Sequence, residues 1–100
     1  MNNNRWMSLL GLANRARKVV SGEELVIKEI RNGNAKLVLL SEDASSNTAK
    51  KMNDKSTYYQ VQLRIVSDRY SLGHAIGKEA RVVVAITDSG FAEKISHLLD

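Results

Sequence analysis

The 100-residue sequence has no cysteine, which excludes disulfides and thiolate metal ligands and removes any need for an oxidising compartment. No apolar run approaches the ~20 residues of a membrane span, and the opening Met1-Asn2-Asn3-Asn4-Arg5-Trp6 lacks the basic, apolar, small-residue order of a secretory signal. These absences lead us to expect a cytoplasmic protein. Histidine is nearly absent as well: His74 and His97 stand alone, with no cysteine or close Asp/Glu cluster at metal-ligand spacing, so neither reads as a ligand or a base. Serines are plentiful, but none sits in a nucleophile elbow, and several are placed to cap helices. With no acid, base and nucleophile in one constellation, the reading is non-catalytic, with no metal and no cofactor. Aromatic rings are scarce too: Trp6, Tyr58, Tyr59, Tyr70 and Phe91. Trp6 and Phe91 fall on apolar helical stripes and read as core, which leaves too few rings for a stacking platform along a single strand.

What the chain does have is a localised positive charge. Residues 1–40 carry seven basic side chains (Arg5, Arg15, Arg17, Lys18, Lys28, Arg31, Lys36) against Glu23, Glu24 and Glu29, and this excess is the whole net charge of +4. Residues 41–68 and 69–100 are each balanced. The densest run, Asn14-Arg15-Ala16-Arg17-Lys18, lies just before Ser21-Gly22-Glu23-Glu24. A basic run beside a helix start is suited to seat a phosphate backbone, so nucleic acid is the first partner to consider. Gly73-His74-Ala75-Ile76-Gly77-Lys78-Glu79 resembles a P-loop only superficially: the glycines are too close, and Glu79 stands where Ser or Thr would reach magnesium. Those glycines read instead as a helix end and a close backbone approach.

The length and the 43% hydrophobic content fit one domain spanning 1–100. Trp6, Leu9, Leu10 and Ala13 recur at helical spacing, predicting a helix over 4–16. Lys18–Val20 predicts a short strand. Ser21 with Glu24 three residues on has the form of a capping box, opening a helix over 22–32 that Gly33 ends. Leu37–Leu40 and Val82–Ile86 are continuous apolar runs, expected of central strands covered on both faces. Tyr58–Ile65 alternates and predicts an edge strand with Gln60, Gln62 and Arg64 on a wet face. A helix over 46–55 precedes it, a short one includes Leu72–Ile76, and a last one, begun by Asp88 or Ser89, carries Phe91, Ile95, Leu98 and Leu99. The order αβαβαβαβα predicts an α/β protein, a three-layer α/β/α sandwich.

Ser21–Gly33, Ala35–Ala44, Tyr59-Gln60-Val61 and Leu72–Gly77 together resemble the kink-turn RNA-binding ribosomal-protein superfamily of archaeal L-seven-Ae type, over nearly the whole chain. Leu10–Lys18 and Ala44–Thr48 narrow the resemblance to its bacterial YlxQ-type branch. The resemblance implies a mixed four-stranded sheet and a ribosome- or translation-associated protein that binds sharply bent RNA. It places the contacts at the start of the second helix (Gly22, Glu23, Glu24, Lys28) and in a loop before the last strand (Lys78, Glu79, Ala80, Arg81). Arg15, Arg17 and Lys18 would position the backbone. Where the family pattern has Asn-Glu, this chain has Glu24-Leu25, and where it has a proline after the tyrosines, this chain has Gln62. The implied partners are structured, kink-turn-like RNA, ribosomal RNA included, and neighbouring ribosomal proteins, with no membrane, no DNA and a monomeric chain. The competing reading is a protein-interaction adaptor on the same fold with little RNA recognition.

Overall fold

The computed structural model describes residues 5–100. The elements run α1 (Arg5–Arg15), β1 (Val19–Ser21), α2 (Glu23–Arg31), β2 (Leu37–Leu40), α3 (Ser46–Tyr58), β3 (Leu63–Ile65), α4 (Arg69–Ala75), β4 (Val83–Ile86) and α5 (Ser89–Leu99). The expected start of α1 at residue 4 lies outside the described residues.

The sheet order is β1-β4-β2-β3. The two all-apolar runs are its central strands, paired antiparallel with Leu39 opposite Val84. β3 runs parallel to β2, and β1 antiparallel to β4. Alternation along the central strands divides the core between two layers of helix. Leu37, Leu39, Val84 and Ile86 pack with Trp6, Leu10, Leu72 and Ile95 under α1, α4 and α5. Val38, Leu40, Val83 and Ala85 pack with Val26, Ile30 and Met52 under α2 and α3. This is the α/β/α sandwich with a mixed four-stranded sheet that the pattern of elements and the resemblance imply.

β1, β2 and β3 all point the same way, and each leads directly into a helix. The starts of α2, α3 and α4 therefore gather at one end of the sheet, where β4 begins its return. Ligand sites in α/β folds form at the carboxyl ends of strands for this reason.

Three local expectations change. Ser21 is extended and pairs opposite Val84 in β1, so the N-cap of α2 is Gly22, and no side chain caps it. The Ser21–Glu24 capping box does not form, because sheet pairing claims Ser21 first. The strand expected from Tyr58 begins only at Leu63; α3 continues through Tyr58 and is closed by Gln60 at φ 60, with the Gln60 N–H donating to Thr57 and the Val61 N–H to Ser56. The face expected to be wet on β3 is also half covered. The Arg64 guanidinium reaches under α5 to the Leu99 carbonyl at 3.1 Å and the Asp100 carboxylate at 2.9 Å, while Ile65 is left 62% exposed.

Candidate nucleic-acid interface

At the carboxyl ends of β1–β3 lies a cleft of about 460 Å³, lined by Gly22, Glu23, Ser45, Thr48, Arg69, Ala80, Arg81, Val82 and Val83. Its floor is the start of β4. One wall is the turn into α2, where Gly22 sits at φ 97, a region that a side chain rarely tolerates, and donates its N–H to the Val83 carbonyl at 3.0 Å. The N–H groups of the first turn of α2 have no side-chain cap and lie at the positive end of the helix dipole.

The opposite wall is the 76–82 loop. Gly73 of α4 lets this loop lie against the helix: a Cβ there would meet the Ala80 backbone at 2.6–2.8 Å. From that seat the Arg81 N–H donates to the Arg69 carbonyl at 2.9 Å, and Arg81 Nε donates to Ser21 Oγ at 3.1 Å. The guanidinium thereby bridges the loop to β1 next to the α2 start. Arg69 is fixed independently, with Nε donating to Asp43 Oδ2 at 3.2 Å and a terminal nitrogen to the Asp43 carbonyl at 2.9 Å. Two arginines, each held in place by neighbours, thus flank the cleft.

Glu23 puts an acid on the α2 wall of the cleft, and its charge is offset from α3. Lys51 Nζ donates to one carboxylate oxygen and Thr48 Oγ1 to the other. The Lys51 hydrogen bond holds the Glu23 carboxyl below its ordinary value of 4.5, against the opposing effect of desolvation.

Of the eleven residues marked out by the sequence, the cleft brings together Gly22, Glu23, Ala80 and Arg81. Glu24 and Lys28 line a neighbouring groove on the outer side of α2, with Ile27, Arg31 and Asn32. Lys78 and Glu79 stand exposed in the loop, outside the lining of the cleft. Arg15, Arg17 and Lys18 are exposed at the other end of β1, where the Lys18 carbonyl accepts from Thr87 N–H. They adjoin α2 in sequence but are separated from it by the length of β1, about 10 Å. Asn14 Nδ2 donates to the Ile76 carbonyl at 3.3 Å, so the basic run abuts the start of the 76–82 loop instead. Arg17 takes φ 63 in the turn that ends α1, a conformation that costs a non-glycine residue roughly 1 kcal/mol. Sequence reasoning missed Arg69, Ser45, Thr48 and Lys51. The one available signal was that Ser45 and Asp68 cap α3 and α4, both of which follow strands and so start at the same end of the sheet.

Residues 4–96 match the family described as ribosomal protein L7Ae/L30e/S12e/Gadd45. The chain belongs to this family. It is 69% identical to the RNA-binding protein YlxQ of Bacillus subtilis (strain 168) over the whole of both chains. It is 46% identical to the RNA-binding protein YlxQ of Enterococcus faecium, covering 99% of this chain and 95% of that one. A solved structure of a Bacillus halodurans protein superposes with a TM-score of 0.94 at 49% identity, covering 96% of this chain and 97% of the other. These relatives place the chain in the bacterial branch that the N-terminal run and the Ala44–Thr48 segment indicate. Among the described residues no helix is long and apolar enough to cross a membrane, and no cluster of three or more His, Cys, Asp or Glu is placed to hold a metal.

Proposed function

We propose that the chain is a non-catalytic, cytoplasmic RNA-binding protein that recognises sharply bent, kink-turn-like RNA, in the ribosome or another translation-associated particle, acting as a single domain and a monomer. The observation that carries this reading is the cleft between the uncapped start of α2 and the 76–82 loop, flanked by Arg69 and Arg81, in a chain whose bacterial relatives are named RNA-binding proteins.

A cleft with helix N–H groups on one side and arginines on the other offers contacts to both sides of a bent backbone. Gly22 lets backbone approach closely, and the free N–H groups of α2 favour a phosphate oxygen. Arg81 and Arg69 supply fixed planar donors for phosphate or base edges. The ion pair of Glu23 with Lys51 removes most of the repulsion that a carboxylate at this point would exert on the backbone. Glu24 and Lys28 face the groove beside the cleft, where Lys28 offers a point charge. Arg15, Arg17 and Lys18, a strand's length away, would hold the flanking helix by its phosphates, contacts that position without reading sequence. Lys78 and Glu79 lie between these two regions.

One observation favours the adaptor reading. Leu25, which takes the second place of the Asn-Glu pair in the family pattern, is 53% exposed, an apolar group on the face meant to meet RNA. Titrating the protein with a kink-turn RNA and with the same RNA carrying disrupted G·A pairs decides between the two. Tighter binding of the kink-turn, weakened steeply by salt, is expected of RNA recognition. Equal, weak binding of both would favour the adaptor.

A further inference from the structure

On α3, residues Thr48, Lys51, Lys55 and Tyr58 follow one another at intervals of three and four and so form one stripe along the helix. The stripe begins at the proposed RNA cleft, because Thr48 and Lys51 both hold Glu23. It runs about 15 Å along the helix axis. It ends in a concavity of about 360 Å³ lined by Lys51, Asp54, Lys55, Tyr58 and Tyr59.

The chemistry at that end is mixed. Tyr58 is 78% exposed, a large ring standing in water at the last turn of the helix. Its orientation is set by Tyr59, whose ring meets it edge to face at a centroid distance of 4.9 Å and 77°. The backbone beneath is fixed by the Gln60 turn, so the pair does not depend on a loose terminus. Asp54 is engaged by Lys50 at 3.0 Å, whereas Lys55, one turn before Tyr59, has no ion-pair partner among the described residues.

We infer that this stripe is a second RNA-contact surface: an unpaired strand leaving the bent duplex runs along α3, a phosphate meets Lys55, and one base stacks on Tyr58. The inference rests on the RNA-binding reading above. An exposed aromatic face beside an unpaired ammonium group is a combination that captures single-stranded nucleic acid without regard to sequence, and one ring suffices for one base. A protein partner would want a broader apolar patch, and here the tyrosines are bordered by Lys51, Asp54 and Lys55.

The test uses a kink-turn RNA in three forms: without an overhang, with a six-adenosine 5′ extension, and with the same extension at the 3′ end. A separate 12-nucleotide single strand containing 2-aminopurine reports stacking directly. One of the two extensions is expected to tighten binding to the parent protein by roughly tenfold, the scale of stacking one base. Tyr58→Ala should abolish that gain while leaving the RNA without an overhang at parental affinity, and Tyr58→Phe should keep it. 2-Aminopurine fluorescence should be quenched by the parent and not by Tyr58→Ala. Since Tyr58 is exposed, all variants should melt as the parent does.

If the kink-turn binds and neither extension adds affinity, the stripe is refuted and the kink-turn reading stands. If the kink-turn does not bind but the single strand is quenched through Tyr58, the stripe stands and the kink-turn reading falls. Loss of binding by Tyr58→Ala on the RNA without an overhang, equal to its loss on the extended ones, would also overturn the inference, since Tyr58 would then belong to the main site. A Tyr58→Ala variant that retains the gain would do so as well.

Discussion

Gly73→Ala is the sharpest perturbation of the interface, because one methyl group acts on the loop that forms half the cleft. The added Cβ would lie 2.6 Å from Ala80 Cα, 2.7 Å from its nitrogen and 2.8 Å from its carbonyl carbon, all backbone atoms. Ordinary contact is about 3.5–4 Å, so α4 and the loop must part by about 1 Å. Overpacking of this kind costs about 1–3 kcal/mol, and alanine returns about 1 kcal/mol through its better helix propensity. The net loss of about 1 kcal/mol should lower Tm by roughly 4–8 °C in a chain of this size. The larger effect should be on binding. Arg81 follows Ala80 directly and would be drawn away from Ser21 and from the α2 start, and losing one charged hydrogen bond to RNA at that site is worth about tenfold in affinity. Gly33→Ala is the control. It sits at φ 77 with open space around it, at the far end of α2 from the cleft, so strain should cost it about 1 kcal/mol of stability and leave RNA affinity unchanged. Thermal melting and a kink-turn titration on both variants separate the two effects. A Gly73→Ala protein with parental Tm and affinity would refute the close-approach argument; a lowered Tm with parental affinity would refute the role of the loop in binding.

Leu39→Asp and Val84→Asp should each abolish cooperative melting by circular dichroism, since both positions are 0% exposed and a buried, unpaired carboxylate costs several kcal/mol out of about 5–15. A near-parental Tm in either would contradict the two-faced burial of the central strands. Reversing Arg15, Arg17 and Lys18 to Glu should weaken binding to structured RNAs in general, keep their ranking, and reduce the salt slope by up to about 3, one unit for each phosphate that is no longer neutralised; unchanged affinity at low salt would place the RNA surface elsewhere. Because Lys51 lowers the Glu23 pKa, the stabilisation from this pair should be complete above the ordinary glutamate value of 4.5 and be lost as pH falls through the depressed folded value. In Lys51→Gln, NMR titration of the Glu23 carboxyl should show its pKa moved up toward 4.5, and a titration curve identical to the parent's would show that the ion pair does not form in solution.

What the sequence reveals of the fold depends on where each signal resides. Leu37–Leu40 and Val82–Ile86 could be read as central strands, observed at Leu37–Leu40 and Val83–Ile86, because burial on both faces leaves a continuous apolar run. Gly33 marked the end of α2 because its positive φ favours glycine. Ser21 was misread because the capping-box pattern is local, while its pairing with Val84 and its bond to Arg81 come from residues sixty positions away. The end of α3 was missed because Gln60 and not glycine occupies the left-handed turn, leaving no breaker to see. The site was half legible. Residues within one segment, such as Gly22 with Glu23 or Ala80 with Arg81, could be picked out through the resemblance. Arg69 and Thr48 reach the cleft only because parallel strands carry three helix starts to one end of the sheet, and no local pattern records that.

If RNA meets the chain where α2 begins and where the 76–82 loop turns into β4, amide chemical-shift mapping of labelled protein titrated with a kink-turn RNA should show it residue by residue. The largest changes are expected at Gly22–Leu25 and Ala80–Val82, with smaller ones at Arg15–Lys18. Changes concentrated instead along the α1–α5 groove around Leu9, His97 and Leu98, with the α2 start unmoved, would place the RNA on the wrong face of the sheet for the cleft to be its site.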